Sequence, residues 1–243
     1  MCKPKSIMRS VAALGAMLLL TLMLKSVAFA QSTLFNIPST DVVAKKKVYL
    51  EFDFLSHFES HDNGGFQVYA PRAVFGVGKR VEVGVNLTAV DALAPDQPVY
   101  VSPNIKWQFY NDDKEGITLA AGGLLYTPIA HRAGADTFGF VYALVSKKVK
   151  SEHGARFHGG AYALPGLANG AGTKGGAIVG YEQPIAKTVT FVTDWFSGKN
   201  AFGYVTPGFS ITLPKSSLFN VGYSFGNRGR GNNALFVYYG ITF

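Results

Sequence analysis

Two histidines stand four residues apart in "SHFESHD", Ser56–Asp62. With Glu59 and Asp62, His57 and His61 would offer a divalent cation imidazole and carboxylate ligands if a helix turned them to one face. The flanking residues alternate as a strand does, so the pair is expected in a solvated outer loop. His158, in "RFHGG" beside Arg156, faces the interior in the same reading, within reach of Glu182 on the next segment. To act as a general base it would need a nucleophile within hydrogen-bond distance. No Ser lies two residues from an inward histidine, so the pattern of an outer-membrane phospholipase is missing, and a hydrogen-bonded network is expected instead. His131 and His153 fall in connections. No helical period exists for a glycine-rich phosphate loop to lead into. The expectation is no enzyme, no metal site and no cofactor.

The remaining charges repeat with a period of two. Glu51, Asp53, Arg72, Glu82, Lys106, Arg156, Glu182 and Asp194 each stand opposite apolar neighbours. "VEVGVNLTA", Val81–Ala89, puts Val81, Val83, Val85 and Leu87 on one face and Glu82, Gly84, Asn86 and Thr88 on the other. Such alternation marks strands with two unlike faces. The pattern predicts an all-β, antiparallel up-and-down transmembrane barrel of about twelve strands. They fall at 47–58, 66–78, 80–91, 98–110, 116–128, 137–149, 155–165, 175–186, 188–197, 202–214, 218–227 and 233–243. Segments 66–78, 137–149 and 175–186 alternate poorly, which leaves ten possible. The lengths suit tilted spanning strands of roughly 9–11 residues. Short and long connections alternate, as in barrels with tight turns at one end and loops at the other.

Solvent follows from the faces. Packing these charges into a dry core would cost several kcal/mol each unless they were paired. A wet lumen with a lipid-facing exterior removes the conflict, and closure removes the sheet edges that lipid does not tolerate. Twelve strands imply a backbone radius of roughly 12 Å and, after side chains, a channel only a few ångström in radius. Lumen acids and bases nearly cancel. Arg72 sits between the strands of Glu51 and Glu82, and either is a cross-strand partner. Inward glycines, Gly76, Gly84, Gly122, Gly180, Gly208, Gly222 and Gly240 among them, either widen the lumen or socket inward tyrosines. Phe58, Phe66, Trp107, Phe109, Tyr110, Phe138, Trp195, Phe202 and Phe243 are placed for interfacial girdles. Arg228 and Arg230 put a positive tip on the last outer loop, where anionic solutes or lipopolysaccharide phosphates would meet it.

The amino-terminal stretch has its own logic. Lys3, Lys5 and Arg9 precede the apolar run Val11–Leu24, and "AFAQS" follows. The run is shorter than the roughly 20 residues of a spanning helix, so residues 1–30 read as a cleaved signal peptide. The single cysteine, Cys2, leaves with it. So do four of the bases behind the +8 formal charge, and the mild excess that remains gives no reason to expect nucleic acid. Residues 31–46 are expected to be a polar periplasmic lead-in and 47–243 the barrel domain.

The signal "AFAQS", the repeated amphipathic strands and the ending Leu235, Val237, Tyr239, Ile241, Phe243 together resemble the Gram-negative outer-membrane β-barrel class. "DWFSGKNAFGYVTPGFS", Asp194–Ser210, faintly resembles small outer-membrane transporters of the phenol-degradation type. The resemblance implies a cell outer-membrane location reached by way of the signal peptide. It implies outer-membrane lipid and lipopolysaccharide as surroundings, and small solutes as cargo. It also implies that Tyr239, Ile241 and Phe243 form the signal read by the barrel-assembly machinery. The expected function is a narrow, porin-like channel for passive diffusion of small solutes. The alternatives are a closed structural or adhesive barrel acting through its outer loops and, behind it, a lipid-modifying enzyme.

Overall fold

β-branched and aromatic residues on alternating positions favour extended backbone, and here they run long enough to cross a bilayer. The computed structural model describes residues 32–93, 96–151 and 153–243; the proposed signal peptide lies outside them. The strands are β1 (Val48–His57), β2 (Phe66–Gly78), β3 (Val81–Ala92), β4 (Val99–Asp112), β5 (Ile117–Ala130), β6 (Phe138–Lys148), β7 (Arg156–Ala163), β8 (Gly175–Pro184), β9 (Val189–Phe196), β10 (Tyr204–Leu213), β11 (Ser217–Gly226) and β12 (Ala234–Thr242). Each pairs antiparallel with its sequence neighbours, and β12 pairs with β1, so the twelve strands form a closed barrel. The up-and-down barrel expected from alternation is the observed fold.

One end carries tight turns. The two-residue link after β2 is Lys79–Arg80, with Arg80 at a left-handed φ of 72°. The other end carries the long connections, including 164–174 and 227–233. Both termini of the wall sit at the tight-turn end. There the Phe243 and Val48 backbones bond each other in both directions, at 2.9 and 3.3 Å. Tyr239 and Ile241 of the expected assembly signal pair with Phe52 and Leu50 of β1 and help close the barrel.

The faces are inverted relative to a water-soluble protein. On β1 the apolar Phe52 is 48% exposed, while Glu51 beside it is 5% exposed. Val85, Ile105, Val141, Phe157, Val179 and Phe209 continue an exposed apolar belt around the wall. Trp107, Phe109, Tyr110, Trp195 and Phe243 are exposed as girdle residues would be. Phe66, Phe138 and Phe202 are a correction to the girdle, because they line an interior cavity.

Candidate functional site

The lumen is occupied by the chain's own amino-terminal segment. Residues 32–46 were expected to lie outside the wall as a lead-in; instead they run into the barrel. Thr33 and Pro38 form an antiparallel bridge, and the Leu34 N–H donates to the Ile37 carbonyl at 3.0 Å, so Ser32–Ser39 is a hairpin. The segment then passes down to β1, where the Lys46 N–H donates to the Gly76 carbonyl. Its sequence explains the entry. Leu34, Phe35 and Ile37 are apolar residues with no place in water, and all three are buried against lumen side chains.

Asp194 on β9 holds the hairpin tip. One carboxylate oxygen accepts the backbone N–H groups of Phe35, Asn36 and Ile37 at 2.9, 2.6 and 3.0 Å, and the other accepts Asn36 Nδ2 at 3.0 Å. Asn36 Nδ2 also donates to Thr206 on β10. The turn's donors have no ladder partner, and a carboxylate that accepts several of them satisfies the groups at once. The Tyr238 hydroxyl donates to the Leu34 carbonyl at 2.6 Å. Glycines make the seat. A methyl group at Gly180 would stand 2.7 Å from Leu34 Cδ2 and 2.9 Å from Ile37 Cδ1, and one at Gly222 would stand 2.8 Å from Phe35 Cζ. The tyrosine-socket reading holds elsewhere: Tyr142 lies over Gly122 and Tyr49 over Gly240.

The lower limb is held by charge. Glu82 accepts the Ser32 hydroxyl at 2.6 Å and the Val43 N–H at 2.6 Å, and pairs with Lys106 at 3.0 Å. Lys106 Nζ also donates to the Ser32 carbonyl. Arg156 binds Asp41 with both terminal nitrogens, at 2.6 and 2.8 Å, and donates to the Thr40 hydroxyl. Burial pushes the Asp41 carboxyl upward, but the Arg156 charge and hydrogen bonds outweigh it and hold the pKa below the ordinary carboxylate value, helped by His158 and Lys106.

All nine residues proposed for the lumen face the interior. Arg72 pairs with Glu51 at 2.5 Å, and Glu82 takes Lys106 instead. Glu51 also accepts the Tyr49 hydroxyl. His158 meets Glu182 at 2.6 Å. Asp53 lines the remaining cavity. The expectation of a uniformly wet, polar lumen is corrected. Phe140, Tyr142, Leu144, Ile178, Phe196, Phe236 and Tyr238 join Leu34, Phe35 and Ile37 in an apolar cluster inside the barrel. The poor alternation of segments 137–149 and 175–186 carried this signal, since a strand with lipid on one side and the hairpin on the other is apolar on both faces.

The outer-loop residues are separate from this assembly. His57 stacks on Phe66 and bonds the Asn233 carbonyl through Nδ1 at 2.5 Å. His61, in a one-turn 3-10 helix, lies 3.3 Å from Gln67 Oε1 and 3.9 Å from Asp91. Arg228 donates to the Ala171 and Lys199 carbonyls and ties three outer connections together, and Arg230 is exposed in the next turn.

Between the hairpin and the long-loop end lies a cavity of about 440 Å³. Its floor is Ser32, Thr33, Asn36, Glu82 and Lys106, its wall carries Asp53, Arg72, Asn86 and Asn104, and aromatic rings line its upper part.

No protein-family model matches the chain, and no curated protein matches it. Among solved structures, it is similar to an outer-membrane channel from Pseudomonas putida F1. The TM-score is 0.51 at 10% identity, over 90% of this chain and 100% of that one. It also aligns with the translocator domain of the autotransporter NalP from Neisseria meningitidis, at TM-score 0.38 and 11% identity, over 97% of each chain. The first likeness bears on the fold, which is that of an outer-membrane channel barrel; the second is too loose to argue from.

Proposed function

We propose that the protein is an outer-membrane channel for small solutes whose conduit is closed by its own amino-terminal hairpin. In this reading residues 1–30 direct export and are removed. The tight-turn end faces the periplasm, and outer-membrane lipid covers the apolar belt. Diffusion is passive, and the paired charges of the wall set which solutes pass.

The observation that carries the reading is the manner in which the lumen is filled. The hairpin contributes no strand to the wall. Its tip and limbs are held by side chains of Asp194, Tyr238, Glu82, Lys106 and Arg156, so it can leave without breaking the barrel ladder. The second reading, a closed structural barrel working through its loops, is favoured by the same occupancy if the hairpin never leaves. Single-channel conductance of the refolded mature chain in a planar bilayer, beside a variant lacking residues 32–43, separates the two. Steady steps that enlarge or become permanent in the truncated barrel are expected. Silence from a truncated barrel that still migrates as a folded, heat-modifiable band would sink the channel and leave the loops as the working part.

A further inference from the structure

Charge is distributed unevenly between the two ends of the barrel. The tight-turn end consists of the links 79–80, 113–116, 149–155, 185–188 and 214–216 and of residues 44–47 leading into β1. Together they hold nine basic side chains and three acidic ones. The connections at the other end, 58–65, 93–98, 131–137, 164–174, 197–203 and 227–233, hold five and four. The basic excess forms a ring. Lys79, Lys114, Lys150, Lys187 and Lys215 fall one to a link, and Lys45, Lys46 and Lys47 stand where β12 closes on β1. All of them are exposed. Among the described residues one of these lysines has an acidic partner, Lys150 with Glu115 at 3.1 Å. A link at every second strand spaces the stations by about 10 Å. That is close to the screening length of about 8 Å at physiological salt, so neighbouring stations reinforce one another.

Apolar residues beside the ring show where it lies. Trp107 pairs directly with Val81, the residue after Lys79 and Arg80, and the Gln108 N–H donates to the Arg80 carbonyl at 2.9 Å. Trp107 is 55% exposed and shares the outer face of β4 with exposed Ile105 and Phe109. Exposed Val149 adjoins Lys150, exposed Ile185 stands two residues before Lys187, and Lys147 shares the outer face of β6 with Val141 and Val145. Aromatic residues at a membrane boundary sit at headgroup level, and lysine stems run along apolar surface to place their ammonium groups there. We propose that this ring docks anionic glycerophospholipids of the phosphatidylglycerol type, whose headgroup phosphate has no ammonium of its own to balance it. Basic residues at a bilayer surface attract such headgroups, and the apolar residues between the lysines favour a lipid over a soluble polyanion. The inference rests on insertion of the barrel in a bilayer, and not on conduction or on departure of the hairpin.

The chain's two tryptophans provide the test. Trp107 lies beside the ring, and Trp195 is exposed near the long-loop end of β9. The mature protein carrying Trp195→Phe or Trp107→Phe is refolded into phosphatidylcholine vesicles that contain a minor share of brominated phosphatidylglycerol or brominated phosphatidylcholine. Quenching is read from the tryptophan that remains. At Trp107 the anionic lipid is expected to associate roughly threefold better than the zwitterionic one, and at Trp195 the two should be equal. The preference should vanish at about 1 M salt, where the screening length falls to about 3 Å. Lys79→Gln with Arg80→Gln should reduce it, and Lys79→Arg with Arg80→Lys should keep it. Heat-modifiable migration establishes that each barrel is folded, and the salt series needs no change to the ring. Equal quenching at Trp107 would overturn the proposal and leave the ring to a soluble polyanion. The same preference at both tryptophans, or one that survives the neutral pair of substitutions, would overturn it as well. A barrel that conducts yet is quenched equally by both lipids keeps the channel and loses the ring.

Discussion

The two sides of the lumen solve the same problem in opposite ways. From β8 to β12 the wall is a seat. Gly180, Gly208 and Gly222 leave room for Leu34, Phe35 and Ile37, and Asp194 gathers the turn's N–H groups. From β1 to β4 the wall is a charged surface. Glu51, Arg72, Glu82 and Lys106 pair across strands, and only part of that surface touches the hairpin. Apolar packing on one side and open space on the other give the hairpin a unique position with a cavity beside it. The lesson is that a lumen need not be uniformly polar when the chain supplies part of its own filling.

The largest expected effect breaks the seat at its strongest point. Asp194→Ala removes the acceptor for three backbone donors and the Asn36 amide. Hydrogen bonds to a charged group contribute roughly 1.5–3 kcal/mol each, and buried donors left without partners add a desolvation cost. Docking of the hairpin should weaken by about 3 kcal/mol or more. Hydrogen exchange over residues 32–46 should accelerate at least a hundredfold, with the wall amides of β2–β5 unchanged. Unaltered protection of the hairpin would show that the apolar seat suffices without the carboxylate.

Packing gives the next effect. Gly180→Val places branched carbon where Leu34 and Ile37 already lie, at 2.7 and 2.9 Å from the first added atom. Overpacking of a filled site costs typically 1–3 kcal/mol. Here the cost should fall on the hairpin, because the crowded atoms belong to it. Its exchange should rise while heat-modifiable migration of the barrel stays as in the parent. A barrel that fails to fold, with the hairpin removed as well, would assign Gly180 to the wall instead.

How much of this was readable follows from the same two sides. Val81–Ala89 alternates cleanly because lipid lies on one face and polar groups on the other, so strand and orientation were both plain. Glu51, Asp53, Arg72 and Glu82 could be placed in the lumen by parity alone. Parity does not choose partners. Arg72 had two candidate acids, and the register, which sets Arg72 directly opposite Glu51 and Glu82 directly opposite Lys106, made the choice. The hairpin was unreadable as such. A polar lead-in containing Leu34, Phe35 and Ile37 has no period to mark it, and its contacts span separations of more than 150 residues, as between Phe35 and Asp194. The available clues were indirect: apolar residues on both faces of β6, and more inward glycines than tyrosine sockets require. Phe138 and Phe202 were read as girdle for the related reason that strand ends near lipid and strand ends lining a cavity have the same composition.

The smallest effect tests the charged grip on the lower limb. Asp41 is held below its ordinary pKa by Arg156, against the opposing push of burial. A released Asp41 would titrate near 3.9. A carboxyl whose docked pKa is depressed contributes stability that is fully present above the free value and is lost as pH falls through the docked one. Docking should therefore be insensitive to this group from neutral pH down to about pH 5. Below that, it should weaken as protons displace Arg156. Exchange protection over residues 32–46, corrected for the intrinsic rate at each pH, should decline on that acid limb, and single-channel open time should lengthen with it. Asp41→Asn should lower protection at neutral pH and flatten the part of the limb that Asp41 supplies. The deeper carboxylates, Asp194 and Glu82, remain in both proteins, so the difference between the two curves isolates the Arg156 grip. Parallel curves would mean that the lower limb is held by Glu82 and Lys106 alone, and that the charged wall, not β7, is what keeps the hairpin's exit closed.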